Sequence, residues 1–159
     1  MRAAVVLALV LAGGWLAGSA VPAQLPDGRE HELRRAYELA PRDPIVNYNL
    51  GLLHHEIGEL EDAEFYYSVA VYADRWPWPD AAANLGLLFN RSGREEESIR
   101  LLEYAIKHGA YFHVACWTNL IVAHKRLGDD ASARNVAVNA LRYGVELDPG
   151  LVRYAMETK

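Results

Sequence analysis

The chain holds a single cysteine, Cys116, in 159 residues, so no internal disulfide can form and its stability must come from packing. Basic charge is also short: 16 Lys and Arg stand against 21 Asp and Glu, a formal net charge of -5. A chain of that sign lacks the cationic face that neutralises phosphates, which excludes nucleic acid as the expected partner. Missing too are a glycine-rich phosphate loop, a nucleophile elbow and paired cysteine ligands, the local patterns that announce nucleotide binding, acyl transfer or a structural zinc site. What is present is 52% apolar and 23% charged residues, the balance of one folded domain rather than of a disordered chain.

The start of the chain differs from the rest. Arg2 precedes an apolar run from Ala3 to Leu16 broken by Gly13 and Gly14, and small residues follow at Gly18, Ser19, Ala20 and Ala23. Residues 1–23 have the layout of an export signal, with cleavage expected after Ala23, although the bond after Ala20 also satisfies the small-residue rule. The alternative is an uncleaved anchor, because residues 3–23 carry no charge and suffice to cross a hydrocarbon core of about 30 Å. Either way the remainder is expected outside the cytoplasmic membrane, periplasmic or secreted, and tethered if the signal is kept. Cys116 in such a protein is expected to be buried and inert, with an exposed thiol for intermolecular pairing as the minor alternative.

An internal repeat organises the rest. Asn49-Leu50-Gly51-Leu52-Leu53 returns as Asn84-Leu85-Gly86-Leu87-Leu88 and more weakly as Asn119-Leu120-Ile121-Val122-Ala123, a step of 35 residues. The same step carries Gly58 to Gly93 and Gly128, and nearly the same spacing joins Ala36, Ala70, Ala105 and Ala140. Within a unit, Val46, Leu50, Leu53 and Ile57 fall at helical spacing, and after Gly58 so do Leu60, Ala63, Tyr67, Ala70 and Val71, which predicts two amphipathic helices per unit. The glycine between them suits a left-handed cap. Acidic residues follow each such glycine, as in Glu95, Glu96 and Glu97, and complement the positive end of a helix dipole.

These landmarks resemble the tetratricopeptide repeat, a helix-turn-helix unit of 34 residues with Leu-Gly in its first helix, Ala and an aromatic in its second, and Pro near its end. Residues 44–77 match through Leu50-Gly51, Gly58, Ala63, Tyr67 and Ala70; residues 79–112 keep Leu85-Gly86, Gly93 and Ala105 but have Ser98 for the small Ala; residues 114–147 keep Trp117, Leu120, Gly128, Ala133 and Ala140 but have Ile121 for the second Gly, a swap expected to loosen the helix pair. In residues 24–43, Ala36 and Pro41 mark the second helix of a half repeat, and residues 148–159 read as a short cap helix. The resemblance implies an all-α fold, a right-handed α-solenoid of three antiparallel helix pairs between these two ends.

Members of that family bind extended peptides or partner helices on the concave face lined by first helices. By register that face is expected to hold Tyr48, Asn49, Leu52 and His55, then Ala83, Asn84, Leu87 and Asn90, then Thr118, Asn119, Val122 and Lys125. An asparagine amide offers a donor and an acceptor, so Asn49, Asn84 and Asn119 can form a ladder against a peptide backbone, although Asn is also common beside this Leu in the family. Leu52, Leu87 and Val122 add an apolar strip. The chaperone-tail clamp of one family branch is excluded: its positions hold Tyr48, Leu52, Asn84, Ala115 and Asn119 here, and only Asn84 fits.

No enzyme and no cofactor are expected. His54, His55, His108, His113 and His124 show no metal-site spacing, and His54 and His124 share a repeat position suited to a buried ring, so no metal site is assigned. Trp76 and Trp78, in Trp76-Pro77-Trp78-Pro79, either cover a repeat junction or, exposed, anchor a partner or a glycan. The expected function is a non-catalytic scaffold that binds a protein or an extended peptide. The alternatives are an assembly subunit of an envelope complex that works through helix edges and ends, and a small-ligand or metal-binding module.

Overall fold

The computed structural model describes residues 28–73 and 78–157; the expected signal at residues 1–23, and Trp76, lie outside them. Among the described residues the fold is all-helical: α1 Arg29–Leu39, α2 Pro44–Ile57, α3 Leu60–Tyr72, α4 Pro79–Arg91, α5 Glu95–Lys107, α6 Val114–Arg126, α7 Asp130–Arg142 and α8 Pro149–Met156, with a 3-10 turn at Ala110–Phe112 between α5 and α6. No helix among them is long and apolar enough to cross a membrane. The chain divides into two compact units at residues 73 and 74.

In the first unit α2 packs on α1 and on α3. Asp43 caps α2 by accepting from the amides of Ile45 and Val46 at 2.8 and 3.1 Å, and Pro44 takes the first helical position, where a missing N–H costs nothing. At the far end Gly58 adopts φ +85°. That left-handed residue lets the amide of Glu59 reach the carbonyl of His54 at 2.8 Å, closing a Schellman turn into α3. Leu33, Val46, Leu50 and Leu53 form the core between α1 and α2, with Tyr37 and Tyr66 beside them in an edge-to-face contact at 5.6 Å. Asn47, fully buried, donates to the carbonyls of Pro41 and Asp43 at 3.0 and 2.8 Å and holds the turn before α2 against it.

In the second unit each helix packs on the next, and α4 also lies beside α6. The glycine turn recurs at Gly93, Gly128 and Gly144, with bonds from Arg94 to Phe89, Asp129 to His124 and Val145 to Ala140 of 2.8, 2.9 and 3.0 Å. Ser98, expected as a deviation, is wholly buried and donates from its hydroxyl to the carbonyl of Gly86 at 2.6 Å, so its polar atom is satisfied across the helix pair. Ile121 is 0% exposed and shares a core cluster with Ala137, the residue 35 positions beyond Leu102, and α6 and α7 approach each other less closely than α4 and α5 do, as expected of the larger side chain. At the end of the unit Arg134 reaches from α7 to the carbonyls of Tyr154 and Glu157, satisfying the last turn of α8 with a cation at its negative pole.

Candidate functional site

The expected partner-facing residues lie on α2 in the first unit. Tyr48, Leu52 and His55 are half-buried there, and Asn49 is nearly covered. Tyr67 of α3 underlies this row: its ring centroid is 6.0 Å from that of Tyr48, and its hydroxyl lies 3.5 Å from Nδ1 of His55. The Asn49 amide donates to the carbonyl of Ile45 at 2.8 Å, one turn back in its own helix. One of its two N–H groups is therefore committed locally.

On α4 and α6 the row divides in two. Asn84 and Leu87 of α4, and Thr118 and Val122 of α6, are half-buried, and Lys125 is exposed with its ammonium 4.6 Å from the Tyr154 ring. Asn90 is different. It is 2% exposed, and its amide nitrogen donates to the carbonyl of Asn119 at 2.9 Å and contacts Oδ1 of Asn119 at 3.4 Å. Arg126 of α6 donates to the carbonyl of Asn90, and its Nη1 lies 3.6 Å from the Glu95 carboxylate. This network satisfies a late carbonyl of α4 and fixes α4 against α6 and the start of α5. Asn90, expected on an open face, is thus an interior link. Asn119 donates in turn to the carbonyl of Ala115 at 2.8 Å, so among the described residues Asn84 is the one member of the asparagine series whose side chain makes no hydrogen bond.

The histidines fall into two kinds. His54 and His124 each sit at the start of a glycine turn and meet the residue five positions on: Nδ1 of His54 is 2.6 Å from Oε2 of Glu59, and Nδ1 of His124 is 3.6 Å from Oδ2 of Asp129. The Ser132 hydroxyl first, and its amide second, donating to Asp129 at 3.0 Å, hold that carboxyl below its usual range. In the intervening repeat the same two places carry Phe89 and Arg94, with the guanidinium 3.6 Å from the ring centroid. His108 lies against Tyr104, ring centroids 4.3 Å apart, and His113 is 3.9 Å from Asp80. That carboxylate is remote in sequence, and only folding brings it near. Trp78 is half-buried just before α4. Cys116 is 2% exposed, and burial, with the Asp80 charge second, pushes its thiol up to about 12.

Sequence reasoning did not find Arg126 or the pairing of residues 54 and 59. The second was recoverable: a Schellman turn bonds the amide after the glycine to the carbonyl five residues back, so Gly58 predicts that residues 54 and 59 meet. The chain matches no protein-family model and no curated protein.

Proposed function

We propose that this protein is a non-catalytic tetratricopeptide-repeat scaffold, exported across the cytoplasmic membrane, that holds a protein partner or an extended peptide against the first helices of its repeats. The observation that carries the reading is the pairing of α4 with α6 in the second unit. Side by side, they carry Asn84, Leu87, Thr118 and Val122, all half-buried: an amide and a hydroxyl among short apolar side chains. Such a strip suits a peptide backbone with small apolar side chains beside it. The exposed Lys125 at the end of α6 favours a partner that carries a carboxylate there. Because Asn49, Asn90 and Asn119 all make bonds within the fold, the amide that meets a partner in this reading is Asn84 rather than a full ladder.

The test is cross-linking capture in the native host with the wild type and the double variant Asn84→Ala, Leu87→Glu, after circular dichroism has shown equal helicity. A discrete partner lost in the folded variant supports the strip. A partner retained by it removes α4 from the binding surface.

An assembly subunit is the second reading, and one observation favours it. Tyr111, Phe112 and Tyr143 stand 46, 62 and 63% exposed around the buried Trp117, with the Tyr111 and Tyr143 rings 6.0 Å apart. Aromatic side chains grouped at the surface are suited to contact with another protein. A solution mass that rises with concentration in the wild type and not in Phe112→Ser, Tyr143→Ser would favour this reading over the first.

A further inference from the structure

Three donor side chains converge where the first unit turns from α2 into α3. His54 is 6% exposed, and its ring stacks on Tyr66 with centroids 5.0 Å apart and planes at 21°, so its direction is set. Its Nε2 faces the interior without a hydrogen-bond partner. Nδ1 faces outward, 2.6 Å from Oε2 of Glu59 and 3.9 Å from Oδ2 of Asp62, and one ligand atom from each of the three residues lies within 4.8 Å of the others. The two carboxylate side chains are 53 and 61% exposed, so they can adjust around the fixed ring. Among the described residues neither forms an ion pair with Lys or Arg, and Arg34 of α1, whose charge is felt weakly by Glu59, is held by Glu30 at 2.7 Å. Two negative charges thus stand beside one imidazole without a fixed cation.

The turn itself does not require this arrangement. The second unit closes the same backbone bonds with Phe89, Arg94 and Glu97, where Arg94 pairs with Glu97 at 3.2 Å, and again with His124, Asp129 and Ser132. Among the described residues only 54, 59 and 62 place an imidazole and two carboxylates together. We propose that His54, Glu59 and Asp62 form a binding site for a divalent transition-metal ion of the zinc class, which clamps the end of α2 to the first turn of α3.

The chemistry selects that class of ion. Imidazole beside two carboxylates suits Zn²⁺ and its neighbours, whereas Mg²⁺ and Ca²⁺ prefer oxygen alone. Tetrahedral coordination with bonds of about 2.0–2.2 Å holds ligand atoms about 3.3 Å apart. The separations of 2.6 and 3.9 Å bracket that value, so small swings of the two exposed carboxylates in opposite senses complete the site, and water fills the fourth position. The ion takes the place of the hydrogen bond between Nδ1 and Oε2, and the neutral ring then carries its proton on Nε2.

The experiment is calorimetric titration of the chelator-stripped full chain with Zn²⁺, repeated on His54→Phe, Glu59→Gln, Asp62→Asn and His124→Phe. His54→Phe places at this position the ring that Phe89 supplies in the next repeat, and its helicity and melting temperature without metal establish that it folds. We expect one ion per chain in the wild type, no such binding in His54→Phe, at least tenfold weaker binding in Glu59→Gln and Asp62→Asn, and wild-type binding in His124→Phe. Zn²⁺ should also raise the melting temperature of the wild type and leave that of His54→Phe unmoved. No binding by the wild type, or binding that survives His54→Phe, overturns the proposal. The partner-capture experiment above is independent of this site and stands or fails separately.

Discussion

Cδ1 of Tyr67 lies 2.5 Å from where a β-carbon on Gly51 would stand. The Leu-Gly of the first repeat is therefore a packing requirement: the aromatic ring on α3 rests against the bare backbone of α2. At the equivalent places the second repeat pairs Gly86 with Leu102, where an added β-carbon would meet Cγ at 2.9 Å, and the third repeat inverts the sizes with Ile121 and Ala137. One volume is shared across each helix pair and divided differently.

Gly51→Ala should destabilise the first unit by about 1–3 kcal/mol, since the ring and both helices must shift. Gly86→Ala should cost less, because a leucine end yields more easily than a ring. In the third repeat Ile121→Ala should cost about 2–5 kcal/mol, and Ala137→Leu should recover part of it. Urea denaturation of the two singles and the double gives the coupling, and strictly additive effects would mean that the two positions do not share a volume.

Asn90→Ala should destabilise the second unit by about 1–3 kcal/mol, because its amide closes the link from α4 to α6. Asn84→Ala should stay within about 0.5 kcal/mol of wild type. Thermal melts check both, and equal losses would show that position 84 is as structural as position 90.

Cys116 should be inert in the folded protein. With its thiol pushed up to about 12 and its side chain covered, labelling by a thiol reagent at pH 8 should be far slower than in urea. Rapid native labelling would show that α6 opens at its first turn.

Asp129 supplies a pH dependence of definite sign. Hydrogen bonds from the Ser132 hydroxyl and then its amide depress its folded-state pKa, so its stabilisation is fully present above the ordinary carboxylate value near 4 and is lost as pH falls through the lower folded-state value. The stability gap between wild type and Asp129→Asn should be constant near neutrality and narrow below about pH 4. A gap that stays constant as pH falls through this range would show that the Asp129 carboxylate does not stabilise the fold.

The helices, their turns and their order were legible in the chain alone, because these are local properties. Apolar spacing places a helix face, and glycine alone takes a left-handed turn cheaply. The 35-residue step then placed each helix pair, down to which residues share a position. What it could not decide was the use made of a shared position. Asn49, Asn84, Asn90 and Asn119 look alike in sequence, yet Asn90 is an interior link and Asn84 is not, since that depends on whether Arg126 and a neighbouring helix come within hydrogen-bonding distance. Ile121 leaves open what packs with it until Ala137 is found in the same core cluster, and His54 reads as a core ring until Glu59 and Asp62 fold back upon it. Periodicity determined where side chains stand along a helix; tertiary contact decided which polar atoms were already satisfied and which remained to meet something else.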